Sequence, residues 1–141
     1  MKVGKKRRDV LVMLGMGMFA AAGAKAGAMV PDDVRGAAKA KLQREQFGDL
    51  RIYFDGPTGQ LKALQAGSLE LKPGMSPHPP HQHPEEEIML ITAGEGEIVL
   101  DGKTTRVAPG SMMYCAAGHT HGVTNTGQTP MMFYFYKWIA K

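Results

Sequence analysis

The feature that most constrains the fold is the close spacing of Gly, Pro and Asp turn residues beyond Phe47. Between these residues lie short apolar or alternating segments that have the length of strands and are too short for most helices. Asp101 and Gly102 separate two such segments, and this pair favours a two-residue hairpin because both central residues of that turn take a positive φ. The sequence therefore predicts an all-β domain.

Eight strands are predicted. They cover residues 50–54, 61–71, 87–92, 96–100, 103–107, 111–115, 121–125 and 131–139. Small β domains avoid exposed strand edges by closing into a barrel or jelly roll. The 141 residues suffice for one hydrophobic core and are few for two. We therefore expect a single β domain over residues 49–141.

Residues 1–28 have the organisation of an export signal. Five basic residues at positions 2–8 precede an apolar run rich in alanine and glycine, and small residues suited to cleavage follow. Arg7 and Arg8 resemble the pair of a twin-arginine signal. Because the apolar run is too short to span a membrane, we expect cleavage and a location in the bacterial periplasm or otherwise outside the cytoplasm. The mature chain is expected to have no membrane association.

Removal of this leader reverses the sign of the net charge. The leader holds six of the 17 basic and one of the 13 acidic residues, so the formal net charge changes from +4 to −1. No basic run remains that favours nucleic acid or anionic lipid as a partner. Cys115 is the only cysteine, which excludes an intrachain disulfide.

Residues 29–48 are predicted to form a linker or a short N-terminal helix. Val34, Ala37 and Leu42 recur at helical spacing, and two aspartates precede them at the expected helix start. The polar stretch 39–46 fits a solvated tether equally well. Both alternatives stay open, and no chemistry is assigned to this segment.

All five histidines fall within residues 78–83 and 119–121. Side chains two apart in an extended strand share a face, so His81 and His83 present two imidazoles to one cavity. Glu87 has the same parity. A second strand that brings His121 across the barrel would complete three nitrogens and one carboxylate oxygen. Such a donor set leaves positions open for water, dioxygen or substrate on an octahedral metal.

These residues lie in two motifs that resemble those of the cupin family. The first runs Gly, spacer, His, any residue, His, three or four residues, Glu, six residues, Gly, and it is matched by Gly74, His81, His83, Glu87 and Gly94 with a spacer one residue longer than usual. The second runs Gly, five residues, Pro, any residue, Gly, two residues, His, three residues, Asn, and it is matched by Gly110, Gly118, His121 and Asn125. Ala116 stands in place of the proline.

The resemblance covers residues 50–141 and implies a double-stranded β-helix, the jelly-roll or cupin barrel. It also implies one divalent transition metal bound by His81, His83, Glu87 and His121. Such a site suits Mn, Fe, Ni or Cu about as well as Zn. Glu85 and Glu86 are alternatives to Glu87, but only Glu87 keeps the six-residue spacing to the following glycine.

His78, Tyr114 and His119 are the candidates for proton transfer. His78 lies among prolines whose stiff backbone can carry it to the cavity mouth, and the alternative is simple exposure. His119 is two residues from His121 and can share its face, with an imidazole that titrates near neutral pH. Cys115 lies in an apolar run and is interpreted as a buried strand residue rather than a ligand.

The expected function is that of an exported metalloenzyme for a small molecule, of the oxidoreductase or dioxygenase type or an isomerase. The alternatives are a module that binds a metal or small ligand without turnover, and a metal that only stabilises the barrel. The aromatic run 133–136 places apolar side chains on both faces of a strand. Because both faces then need cover, we also expect a homodimer.

Overall fold

The computed structural model describes residues 27–141, so the predicted export signal lies almost entirely outside the described residues. Within this range the chain forms one turn of 3-10 helix, Ala37–Lys39, and β-strands. The strands are β1 (Lys41–Glu45), β2 (Gly48–Gly56), β3 (Leu61–Leu71), β4 (Glu86–Ala93), β5 (Gly96–Leu100), β6 (Lys103–Val107), β7 (Met112–Cys115), β8 (His121–Thr124) and β9 (Met131–Ala140). Over these residues, no helix has the length and apolar character needed to cross a membrane.

The strands form two antiparallel sheets. The larger sheet has the order β1-β2-β3-β9-β4-β7, and the smaller has the order β6-β5-β8. All eight predicted strands are present, with ends that differ from the prediction by at most two residues. The expected all-β jelly-roll barrel is confirmed.

Side chains from both sheets form one hydrophobic core. Alternation along β9 decides which aromatic residues enter it: Phe133 and Phe135 are buried, whereas Tyr136 is exposed on the outer face. The hairpin prediction is also confirmed. Asp101 has φ of 47° and Gly102 has φ of 81° between β5 and β6, as a two-residue turn of this kind requires.

The segment before β2 differs from the helical alternative for residues 29–48. Only the turn Ala37–Lys39 is helical, and the chain then pairs with β2 as an edge strand from Lys41. Val34 is 91% and Leu42 is 40% exposed, so the apolar face of a helix would have no core to pack against. Strand pairing satisfies the backbone groups instead. The sheet therefore begins at Lys41, ahead of the predicted domain start at residue 49.

Candidate metal centre

Three imidazoles converge inside the barrel. The potential ligand atoms of His81, His83 and His121 all lie within 4.8 Å of one another, and the ring centroids are separated by 4.8 to 5.2 Å. The two histidine-bearing stretches of the sequence thus meet at one point, as predicted. Three nitrogen donors at this separation form a group that could hold a metal ion.

Backbone hydrogen bonds hold the two stretches together. His81 and His121 form an isolated antiparallel bridge, with both N–H groups donating to the opposite carbonyl at 2.9 Å. The N–H of Gly118 donates to the carbonyl of His83, also at 2.9 Å. Prolines on both sides of the His81–His83 stretch cannot donate, so the pairing does not extend into a regular strand.

Glu87 brings a carboxylate to this group. It is buried, and its Oε2 lies 2.8 Å from Nε2 of His121 and 3.1 Å from Nε2 of His83. Burial alone would raise the pKa of this carboxyl, but the hydrogen bonds from His121 and His83 outweigh burial and lower the pKa to about 2. Glu87 is therefore ionised at neutral pH.

Two of the imidazoles are oriented by backbone carbonyls. Nδ1 of His83 lies 3.1 Å from the carbonyl oxygen of Glu85, and Nδ1 of His121 lies 3.3 Å from that of His119. The ionised Glu87 can only accept, so the Nε2–H groups of His83 and His121 donate to it while each Nδ1 lies beside a carbonyl. Burial lowers the pKa of His121, but its hydrogen bond with Glu87 more than offsets burial, and the net pKa is raised.

His81 differs from its neighbours because its buried Nδ1 has no hydrogen-bond partner among the described residues. Burial, followed by the nearby His78, His121 and His83, lowers the pKa of His81 to about 4. The ring is therefore neutral at physiological pH, which is the state a metal ligand needs. A buried imidazole nitrogen without a partner is costly in a fold and calls for an explanation.

A cavity of about 110 Å³ lies beside the three imidazoles. Its walls are largely apolar and include Phe47, Leu50, Leu69, Met89, Phe133 and Phe135. Apart from the three imidazoles and Glu87, the polar side chains that line it are His78, Gln65 and Lys137. The arrangement can hold a small molecule next to the histidine group.

The structure places the proton-transfer candidates differently from one another. His78 lines the cavity, and its ring stands edge-on to that of His81 with 3.8 Å between centroids. Tyr114 is 54% exposed on the outer face of β7, where its hydroxyl donates to Glu86. The His119 side chain is 55% exposed and pairs with Asp101 at 2.6 Å.

Neither Tyr114 nor His119 lines the cavity. Strand alternation explains the first case, because Met113 and Cys115 take the inward positions of β7 and Tyr114 must point outward. The second case arises because a tight turn at Gly118 precedes His119, so strand parity does not apply to it. Proton transfer by Tyr114 and His119 stays a prediction.

Lys137 and Gln65 are cavity residues that sequence reasoning missed. Lys137 has the same strand parity as Phe133 and Phe135, and this alternation was a usable signal for an inward-facing charge. Asn125, the last residue of the second motif, is fully buried but binds backbone: its side-chain amide donates to the carbonyls of Leu71 and Thr129. Its role is to hold the loop before β9.

Comparison with known proteins gives the same fold. Residues 67–136 match the family model described as Cupin domain. An RmlC-like cupin from Shewanella frigidimarina is similar with 13% identity and a TM-score of 0.66, over 80% of this chain and 96% of that one. A Cupin 2 conserved barrel domain protein from Salinispora arenicola shares 24% identity with a TM-score of 0.61, over 77% and 89% of the two chains. These identities show the fold alone.

A characterised protein matches a shorter stretch. Dimethylsulfoniopropionate lyase DddQ from Ruegeria pomeroyi is 43% identical over 56 residues, which is 39% of this chain. The matched stretch spans 27% of that relative's length.

Proposed function

On the premise that this chain carries a cupin domain, we propose that it is a metal-dependent enzyme acting on a small molecule bound in the barrel. One divalent transition metal, from the group Mn, Fe, Ni, Cu and Zn, is held by His81, His83 and His121 with Glu87 as the fourth ligand. The observation that carries the proposal is the convergence of three imidazoles within 4.8 Å beside a cavity. The buried Nδ1 of His81, which has no partner among the described residues, fits the same proposal.

The donor set is suited to such an ion. Imidazole nitrogens favour Zn, Cu, Fe and Ni, and a carboxylate extends the range to Mn. In the metal-free arrangement Glu87 accepts hydrogen bonds from His83 and His121, which gives both imidazoles a polar partner. Metal binding therefore displaces protons from this cluster, and affinity is expected to fall in acid.

When bound, the ion would supply Lewis acidity, and for a redox-active metal also access to dioxygen chemistry. The chain itself supplies the rest. The apolar walls of the cavity exclude water, which strengthens polar interactions with a bound molecule. The backbone carbonyls of Glu85 and His119, which lie beside Nδ1 of His83 and of His121, keep these two rings in one orientation.

His78 is the side chain best placed to move a proton. It lines the cavity, and burial lowers its pKa, so the ring is neutral at pH 7. Its Nδ1 lies 3.0 Å from the carbonyl of Pro79. A base in this position suits proton abstraction from a small substrate, as isomerisation or elimination requires.

The match to a lyase favours elimination as one reaction to test, and dioxygen-dependent oxidation is the other. We also propose that the mature protein acts outside the cytoplasm, because residues 1–28 have the pattern of an export signal.

Elemental analysis of the purified chain tests the metal site. We expect about one transition-metal ion per chain, loss of the ion in His83→Ala, and full retention in His119→Ala. The second variant is the matched control because it removes an imidazole that lies close in sequence but outside the cavity. Absence of metal from the wild-type chain after incubation with each of the five ions would refute the site.

Turnover is tested with the metal-loaded chain. Dimethylsulfoniopropionate and a panel of small carboxylic acids are incubated with and without dioxygen, and product formation is compared with that of His83→Ala. Product that depends on His83 supports an enzyme. A metal-loaded chain that binds panel members without turnover would favour the non-catalytic binding module.

A further inference from the structure

Lys137 is the one lysine or arginine among the described residues that line the cavity, whose wall is otherwise mostly apolar. Lys137 lies on the inner face of β9, next to buried aromatic residues, and it lines the cavity together with Gln65. Nothing in the packing of the barrel requires a charge here. Phe133 and Phe135 occupy the preceding inward positions of the same strand.

Strand register places Lys137 beside the metal centre. It is the direct cross-strand partner of Glu87 on β4 and of Gln65 on β3. Side chains of such partners lie on the same face of a sheet, with Cβ atoms about 4.5 to 5.5 Å apart. A row of polar side chains, Gln65, Lys137 and Glu87, therefore crosses the inner face of the larger sheet at the level of the three imidazoles.

No carboxylate of the described residues is in ion-pair contact with Lys137. It forms no ion pair within 4.0 Å and no side-chain hydrogen bond with any other residue in the described range 27–141. Its cross-strand neighbour Glu87 is engaged instead with His83 and His121. A half-buried ammonium without a counter-ion destabilises a fold, and such a cost at a cavity wall is typical of a residue kept for binding.

Gln65 contributes the second polar group of this wall. Its Nε2 lies 3.4 Å from Oδ2 of Asp55, its cross-strand partner on the outer side of the row. The amide thus stands between the exposed Asp55 and Lys137. Asp55 forms no ion pair with Lys137.

We propose that Lys137 binds the carboxylate of a small anionic ligand, which extends from the ammonium toward the metal centre. This inference rests on the proposed function, in that the ligand occupies the cavity beside the ion. A divalent ion with the single negative charge of Glu87 and the positive charge of Lys137 leaves the cavity with an excess of positive charge, which favours an anion. The cavity volume of about 110 Å³ is well below the roughly 300–1,000 Å³ of sites for drug-sized molecules, so the ligand is small.

The test compares propionate with propionamide, which have nearly the same shape and differ in charge. Binding is followed by NMR chemical-shift titration of metal-free and zinc-loaded protein. We expect the wild-type chain to bind propionate roughly tenfold or more tightly than propionamide in both states, as a charged hydrogen bond provides. Lys137→Met should lose this preference, and Lys137→Arg should retain most of it.

Lys62→Met is the matched control, because Lys62 lies on β3 with its side chain exposed outside the cavity. It should bind propionate as the wild type does. The thermal midpoint of ligand-free Lys137→Met should equal or exceed that of the wild type, because methionine suits the apolar wall. If Lys137→Met does not fold, the propionate preference of the wild type and of Lys137→Arg tests the proposal.

An unchanged propionate preference in Lys137→Met overturns the proposal, as does a wild-type chain that binds both probes equally or neither. Failure of the metal site gives a different result. Zinc is then absent from the wild-type chain by elemental analysis, while the metal-free titrations still decide whether Lys137 selects an anion.

Discussion

His81 and His121 exchange both of their backbone hydrogen bonds, at 2.9 Å each, although His81 lies in none of the strands. This single bridge joins the first histidine of one motif to the histidine of the other. It depends on main-chain groups alone, so it persists when either side chain is replaced. The main chain alone therefore brings the two histidine stretches together, and the neutral, buried ring of His81 carries an energetic cost in the folded chain.

That cost predicts that the stability of the metal-free protein depends on pH. The pKa of His81 is lowered from 6.5 to about 4 in the folded chain, first by burial and then by neighbouring histidines. Between pH 6.5 and about 4, His81 is protonated in the unfolded chain and neutral in the folded chain. The free energy of unfolding therefore falls as the pH drops from 6.5 to about 4. His121 has a raised pKa and acts in the opposite sense, but its window lies above pH 6.5.

Urea unfolding of the chelator-treated chain between pH 7 and pH 4 measures this effect. His81→Gln should remove up to about 1.4 kcal/mol per pH unit from the slope of the unfolding free energy, the value for one proton. His119→Gln, which changes an exposed ring outside the cavity, serves as the control. Equal slopes in wild type and His81→Gln would contradict the assigned environment of His81.

Much of the fold could be predicted from local patterns, because turn chemistry and alternation act over a few residues. Asp101 and Gly102 take the positive φ that their hairpin demands, and the alternation at Phe133 and Phe135 sets the inner face of β9. The histidine group followed from parity and motif spacing. Its convergence depends on contacts between residues far apart in the sequence, which local patterns do not predict. The resemblance to a known barrel indicated which two stretches meet.

Other features are decided only by the assembled sheets. Parity places Tyr114 opposite Cys115, but which of the two faces inward depends on the packing of β7 against the core. Lys137 shares the strand parity of Phe133 and Phe135, but its place beside Glu87 is known only from the register of β9 with β4. For residues 29–48 the sequence left a linker and a short helix open. Residues 41–45 instead pair with β2 as an edge strand, a tertiary contact that helical propensity does not include.

Asn125 is predicted to be essential for stability without being a ligand. Its fully buried side chain donates to the carbonyls of Leu71 and Thr129 and accepts from the N–H of Gly127. Asn125→Ala leaves these three backbone groups unsatisfied and should lower the free energy of unfolding by about 3 kcal/mol. Urea denaturation measures the change. Gln128→Ala, an exposed position in the same loop, should change it by less than about 0.5 kcal/mol, and a similar small loss in Asn125→Ala would refute the prediction.

The outer face of the larger sheet is predicted to bind a second copy of the chain. Met112 is 64%, Tyr114 54% and Tyr136 42% exposed. Met112 and Tyr114 lie on β7 and Tyr136 lies on β9, with β4 between these two strands. Apolar side chains on a sheet face favour burial against a partner. Tyr136→Glu places a charge in this face and should weaken the dimer at least roughly tenfold, because burial of an unpaired charge is costly.

Sedimentation equilibrium over a range of concentrations measures the dimer. Thr105→Glu adds the same charge to an exposed position of the smaller sheet and should leave association unchanged. A wild-type chain that stays monomeric throughout, or equal dissociation constants for wild type and Tyr136→Glu, would rule out this interface.

Export through the leader is predicted to depend on the pair Arg7 and Arg8. Replacing both by lysine keeps the net charge of the leader, so any effect reports recognition of the arginine pair rather than attraction by positive charge. We expect the double variant to accumulate uncleaved in the cytoplasm of a bacterial host. The wild type should be found in the periplasm with its N-terminus at residue 27 or 29, as fractionation and N-terminal sequencing show. Lys2→Arg with Lys5→Arg, an equally conservative exchange outside the pair, should be exported normally. Equal export of the Arg7 and Arg8 double variant would point to a leader read by its charge and apolar run alone.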